Sequence, residues 1–269
     1  MRKTRIWLTL SLMLALAACG KHSEDKISIP APVAKIIPTT LTIHGHTRTD
    51  DYYWIRDDTR SNPEVLSLLA AENEYARAML ADTESLQNRL FNEITARLKD
   101  HDSTVPIKQG DYFYHREFRA GGEYPVYLRR PEGANTTPEV ILDVNTLSRE
   151  HEYYRVGNWS VSQKQNILAF AEDTLGRRKY TIRFKDLETG EMLPDKIEGV
   201  GADIAWGNDN RSLFYVAKHP RTLLPYKVFR HVLGTPVAED QLVYEERDDT
   251  FYTSVYKSRS EEYVMIAIH

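Results

Sequence analysis

Residues 158–246 carry one unit written twice, and that repeat limits the fold more than anything else in the chain. Asn158-Trp159-Ser160 precedes Ile167-Leu168-Ala169-Phe170-Ala171 and then Tyr180-Thr181-Ile182-Arg183-Phe184. A further 46 to 47 residues along, Ala205-Trp206-Gly207, Leu213-Phe214-Tyr215-Val216-Ala217 and Tyr226-Lys227-Val228-Phe229-Arg230 follow in the same order. A third copy starts at Tyr256 and Tyr263-Val264-Met265-Ile266-Ala267. A period of about 40 to 50 residues with four short β runs per copy is the mark of propeller blades, units that bury their faces only by stacking on neighbours. The repeat therefore predicts a mainly β fold.

Composition excludes some partners. The 269 residues are 41% hydrophobic and 28% charged, enough apolar content for a real core, and the net charge of −4 supplies no basic face for nucleic acid. The N-terminus reads as an address. Arg2, Lys3 and Arg5 precede an apolar run from Ile6 to Ala18, too short to span a bilayer, and Leu16-Ala17-Ala18-Cys19 resembles a bacterial lipobox. Residues 1–18 are then a lipoprotein signal peptide and Cys19, the chain's single cysteine, is the lipid attachment site. Removing the signal takes three cations and no anions from 35 Lys and Arg against 39 Asp and Glu, so the mature charge is −7. Gly20 rather than Asp after the cysteine points to the outer membrane, on the periplasmic side of the envelope. With Cys19 acylated, disulfides play no part.

Residues 19–40, broken by Pro30, Pro32 and Pro38, read as a tether. Residues 41–100 read as an N-terminal helical segment. It opens on an aromatic and charged stretch from Thr42 to Asp58, and Asn62-Pro63-Glu64 then gives a helix start: a cap, a proline in the first turn, and an acid at the positive dipole end. Val65, Leu68, Leu69, Ala76, Met79 and Leu80 mark one amphipathic helix to about Ala81. Leu86, Leu90, Ile94 and Leu98 mark a second, between Thr83 and Lys99. Both need a partner surface. From residue 105 to 269 the period changes to two: Asp111–Phe118 turns through Gly121-Gly122 into Tyr124–Leu128, and Val140–Val144 closes a first blade. With the repeat as blades two and three and two strands of a fourth, about three and a half blades result. That is too few to close a ring of four or more, so the reading expects a partial propeller and a chain that is part of something longer.

The chemistry-bearing motifs are missing. The sequence has no Gly-x-Ser-x-Gly elbow, dinucleotide or Walker loop, His-Glu-x-x-His or cysteine pair, so no catalytic residue, metal or cofactor is expected. His44-x-His46 lacks a third ligand. His115 with Glu117, His151 with Glu152, and Asp248-Asp249 are candidate acids or bases, but no third positioned group accompanies any of them, so each reads as a solvated strand edge or turn.

Long strings do match a known family. Arg48-Thr49-Asp50-Asp51-Tyr52-Tyr53-Trp54-Ile55-Arg56-Asp57-Asp58, Asn62-Pro63-Glu64-Val65-Leu66, Ala171-Glu172-Asp173 with Arg177-Arg178, Leu187-Glu188-Thr189-Gly190, Lys218-His219-Pro220, and Tyr244-Glu245-Glu246 with Asp248-Asp249-Thr250 resemble the prolyl oligopeptidase family, above all its oligopeptidase B branch. The resemblance runs from about Ile43 to His269. It implies a serine peptidase in which a seven-bladed propeller admits only short peptides to a separate α/β-hydrolase domain carrying the Ser, Asp, His triad, with cleavage after Arg or Lys. The N-terminal helices of such enzymes pack on the hydrolase domain. No catalytic residue falls within this sequence, so the chain alone is expected to be inactive. The lipobox departs from the cytosolic location expected of many relatives. A rival reading is a lipid-anchored, non-catalytic propeller module that binds a partner protein.

Overall fold

A computed structural model describes residues 29–269. The expected signal peptide, Cys19 and the first part of the expected tether lie outside the described residues. The chain divides into two compact units between Leu98 and Lys99.

In the first unit, β1 (Thr39–Ile43) pairs antiparallel with β2 (His46–Asp50). His44 and Gly45 both hold positive φ between them, as a tight two-residue hairpin demands. The Asp57 carboxylate then gathers the chain, accepting from the backbone amides of Thr59, Ser61 and Asn62 at 3.1, 2.6 and 2.7 Å. Together with the Thr59 hydroxyl these bonds hold its pKa down at about 2. Asn62, placed by that turn, accepts from the Glu64 amide at 3.0 Å and caps α1 (Pro63–Leu80). A 3-10 turn leads to α2 (Glu84–Thr95), shorter than expected at both ends. Val65 is the one buried residue of α1, and α2 has none. The stripes read from sequence stand largely in the open, with Leu69 49% and Ile94 60% exposed.

The second unit is β. A five-stranded sheet holds β3 (Asp102–Ser103), β4 (Ile107–Gln109), β5 (Tyr112–Phe118), β6 (Val126–Pro131) and β7 (Glu139–Asp143), with β3 and β4 both paired to β5. The expected run to Val144 ends one residue early. The Asp143 carboxylate accepts from the Asn145 and Thr146 amides and turns the chain into α3 (Val144–Leu147). A seven-stranded antiparallel sheet follows, from β8 (Arg155–Val161) through β9 (Ile167–Asp173), β10 (Tyr180–Asp186), β11 (Met192–Trp206), β12 (Ser212–Lys218) and β13 (Pro225–Val232) to β14 (Gln241–Glu245). Finally β15 (Thr253–Lys257) pairs with β16 (Val264–Ile268).

The repeated runs fall on β8, β9 and β10 and again on the end of β11, β12 and β13. They are not separate sheets, however. The 15-residue β11 pairs along its first part with β10 and along its last part with β12, and Val200 partners both Tyr180 and Ala217 at the handover. Gly199, at φ +72°, lies beside that handover, where the ladders shift register. The seven strands are thus two four-stranded halves sharing one strand.

Packing follows the alternation of each strand. On β9, Leu168 and Phe170 enter one core with Tyr114, Ile141 and Leu142 of the first sheet, while Ala169 and Ala171 face the other way into a core with Phe184, Trp206 and Tyr215. On β12, Leu213 and Tyr215 join that second core and Val216 joins a third with Val228 and Val255. Both faces of the central strands are therefore covered, which is why they read as unbroken apolar runs. Burying Phe170 or Phe184 completely is worth about 1.5–3 kcal/mol each.

Candidate functional site

The residues singled out from sequence do not assemble. His44 sits in the β1–β2 turn and His46 begins β2. On β5, Glu117 pairs with Arg119 at 2.8 Å and His115 faces a cleft. His151 rests 5.4 Å from the Tyr154 ring, and Asp248 accepts from the Thr250 amide and hydroxyl to hold a turn. Among the described residues no group of three or more His, Cys, Asp or Glu side chains is arranged to hold a metal ion. Ser254 Oγ lies 3.2 Å from His269 Nε2, a nucleophile–base distance, but no carboxylate among the described residues binds the other ring nitrogen. That pair therefore lacks the group that orients a catalytic histidine.

Sequence reading missed a buried Asp–His–Asp row. His231 on β13 is fully buried, its Nδ1 lies 2.7 Å from Asp240 Oδ1 and its Nε2 3.1 Å from Asp195 Oδ1. Asp195 also accepts from the Gly234 amide at 2.6 Å, and Asp240 from the Tyr215 hydroxyl at 2.8 Å. Burial, then that bond to Asp240, raises the Tyr215 hydroxyl well above its ordinary pKa, keeping it a donor. Among the described residues no serine bonds to His231, and the ring is fully buried, so the row is not arranged for acyl transfer. Because Asp195 belongs to the first half of β11 and His231 to β13, it ties one half of the long sheet to the other. The three residues are 36 and 9 apart in sequence, so no spacing signalled them.

Side chains that reach from one sheet, or one half of the long sheet, to a backbone carbonyl of the next recur along the series. Lys185 Nζ donates to Ile141 O at 3.1 Å, Trp206 Nε1 to Ser160 O at 3.1 Å, and Lys257 Nζ to Trp206 O at 2.9 Å. At the first seam the buried Arg129 donates to Gln165 O, pairs with Glu139 at 2.9 Å and lies 4.5 Å from the Tyr112 ring centre. Burial raises the neighbouring Tyr114 hydroxyl to about 12 against the pull of Arg129. The sheets are thus joined in series through both apolar cores and fixed polar contacts.

One cleft of about 510 Å³ opens between the first sheet and β8. Residues of β4, β5 and β6 form one wall and residues 155–159 the other, with the Trp159 ring 5.3 Å from Tyr127 and 5.8 Å from Tyr114. Gly157 on its β8 wall has no room for a side chain, since a Cβ there would overlap the Tyr180 ring.

This architecture has a match. The family model described as the prolyl oligopeptidase N-terminal beta-propeller domain covers residues 32–269. The chain belongs to the prolyl oligopeptidase family. Within it, the chain is 44% identical to dipeptidyl aminopeptidase BI of Pseudoxanthomonas mexicana, over 100% of this chain and 39% of that protein. It is 34% identical to Protease 2 of Moraxella lacunata, over 87% and 35%. Among solved structures, oligopeptidase B from Leishmania major superposes with a TM-score of 0.83 at 31% identity, over 90% of this chain and 36% of that one. The chain thus spans about two fifths or less of the length of these relatives, and what it shares with them is the propeller and the segment before it.

Proposed function

We propose that this chain is the propeller-side part of a serine oligopeptidase resembling oligopeptidase B, which cuts short peptides after Arg or Lys. The observation that carries the reading is the likeness to oligopeptidase B over nine tenths of the chain, in a sheet series that holds no complete catalytic row among its described residues. In this reading the five-stranded sheet, the two halves of the seven-stranded sheet and the β15–β16 pair are about three and a half blades of a seven-bladed ring that limits the size of entering peptides. The Ser, Asp, His triad belongs to a hydrolase domain outside this sequence, and the chain alone is inactive. That domain also covers the open apolar stripes of α1 and α2, which a free-standing binding module would leave in water.

The name of the 44% identical relative favours a second specificity, release of dipeptides from a free amino terminus. Two chromogenic substrates separate the readings when offered to the product of the full reading frame: an N-blocked peptide ending in Arg, and a dipeptide with a free amino group. Cleavage of the blocked substrate is expected. A requirement for the free amino group would replace the first specificity with the second, and turnover of neither would refute a peptidase.

We also propose that the protein is held by a lipid on Cys19 at the periplasmic side of a bacterial membrane, the outer one. The lipobox and the single cysteine support this, and among the described residues no helix is long and apolar enough to cross a bilayer. Labelled palmitate should enter the protein in cells and be absent from Cys19→Ala. Equal labelling of both would rule the anchor out.

A further inference from the structure

We propose, taking the partner from the peptidase reading, that Arg155, Arg178, Lys179 and Lys218 form a surface that docks an acidic face of the hydrolase domain. The four side chains gather around Tyr180. Lys218 Nζ donates to Arg178 O at 2.6 Å and lies 6.0 Å from the centre of the Tyr180 ring. Burial raises the Tyr180 hydroxyl pKa against the pull of the nearby Arg155 and Arg178. Burial lowers the Lys218 pKa, and Arg178 and Lys179 lower it further. Like charges are thus crowded together. None of the four is in an ion pair among the described residues, whereas Arg183, Lys196 and Lys227 on the same sheet are each matched by a glutamate. The two carboxyls within reach of Lys218 do not relieve the crowding. Asp173 is buried and accepts from the Leu175, Gly176 and Arg178 amides at 3.0, 3.0 and 2.7 Å. Asp203 is half-buried, with its pKa raised by burial, and makes no hydrogen bond among the described residues. The amide bonds to Asp173 also fix the β9–β10 connection, which holds Leu175 out at 70% exposure beside the cations. An apolar side chain beside unmatched cations on a fixed loop suits an acidic partner, whose charges would complement the patch.

The order of the strands decides which end of the sheets carries the patch. Turns at the opposite end touch in series. Gly110 after β4 backs onto the Gln165 side chain after β8, Lys164 N donates to Asn210 Oδ1 after β11 at 2.8 Å, and Asn208 Nδ2 donates to Glu262 O after β15 at 3.2 Å. The β5–β6, β9–β10 and β12–β13 connections therefore share the other end. Arg178 and Lys179 lie in the second of these connections, Lys218 leads into the third, and Arg155 starts β8 opposite Asp173. The chain also enters the β unit at that end, since Asp102 of β3 partners Phe118 at the close of β5. Residues 96–101 alone separate β3 from α2, whose open stripe the hydrolase domain covers in the peptidase reading. That domain is thereby held within a short reach of the patch.

A zero-length carbodiimide, which joins a lysine amine to a carboxylate only where the two touch, tests this on the product of the full reading frame, with mass spectrometry of the joined peptides. Lys179 is expected to join an aspartate or glutamate of the domain that carries the reactive serine, and Lys164, an exposed lysine at the opposite end, is not. The Lys179 product should be lost in about 1 M salt, where charges are screened beyond about 3 Å. It should also be lost when Arg155→Gln and Arg178→Gln are combined, since both side chains are exposed and their removal leaves the cores intact. Lys179 joined only to carboxylates of the propeller or of a second copy, no product at Lys179, or a product indifferent to salt and to both substitutions would overturn the surface. Turnover of the blocked Arg substrate by the same preparation alongside any of those results would sink this inference and leave the peptidase reading intact. Turnover of neither chromogenic substrate would remove that reading and this partner together.

Discussion

Replacing His231 by alanine is expected to lower the stability of the chain by about 3–5 kcal/mol, the cost of removing the shared partner of two buried carboxyl groups and leaving them unpaired. Asp195 and Asp240 are 6% and 2% exposed, so water cannot take over the donors that the imidazole supplies. Gly234 N and Tyr215 Oη would still donate after the substitution, but two buried carboxyl groups would then face each other without the ring between them. Part of the loss is packing, because the ring also lies 6.0 Å from Phe184. His231→Phe separates the two terms: it keeps most of the ring volume and still removes both hydrogen bonds. Urea denaturation should place it near the alanine variant. A His231→Phe protein within about 1 kcal/mol of the parent would show that the row is packing and not a polar tie.

Much of this architecture is legible in the sequence, for reasons that differ by element. The Trp159 and Trp206 units are visible because β9 and β12 are covered on both faces, so five apolar residues run on without a break. The start of α1 is visible because Asn62, Pro63 and Glu64 each perform a local task that needs no tertiary context. By contrast β3 and β4 are hidden: they are two and three residues long, flank Pro106 and contain no buried residue. The continuity of β11 is hidden too, since nothing in the repeat marks as one strand the two stretches that meet where the chain bends at Gly199 between two ladders. The apolar stripes of α1 and α2 are legible from their spacing, and among the described residues most of their side chains stand exposed.

The site was less legible than the fold. Histidines and acids adjacent in sequence, such as His115 and Glu117 or His151 and Glu152, turned out to do separate local tasks. The histidine held between two carboxyl groups is assembled by strand pairing from three distant positions, and the walls of the cleft come from two different sheets. Single-sequence spacing carries no trace of either.

The account as a whole rests on a division of labour: this chain supplies the stacked sheets, and a nucleophilic serine lies outside it. A fluorophosphonate probe, which reacts with activated serines, reads that division directly when given in parallel to the 269-residue chain and to the product of the full reading frame. The account predicts stoichiometric labelling of the longer product and none of the chain, Ser254 included, since no carboxylate orients His269. A chain that labels by itself, or a longer product that does not label, would contradict it.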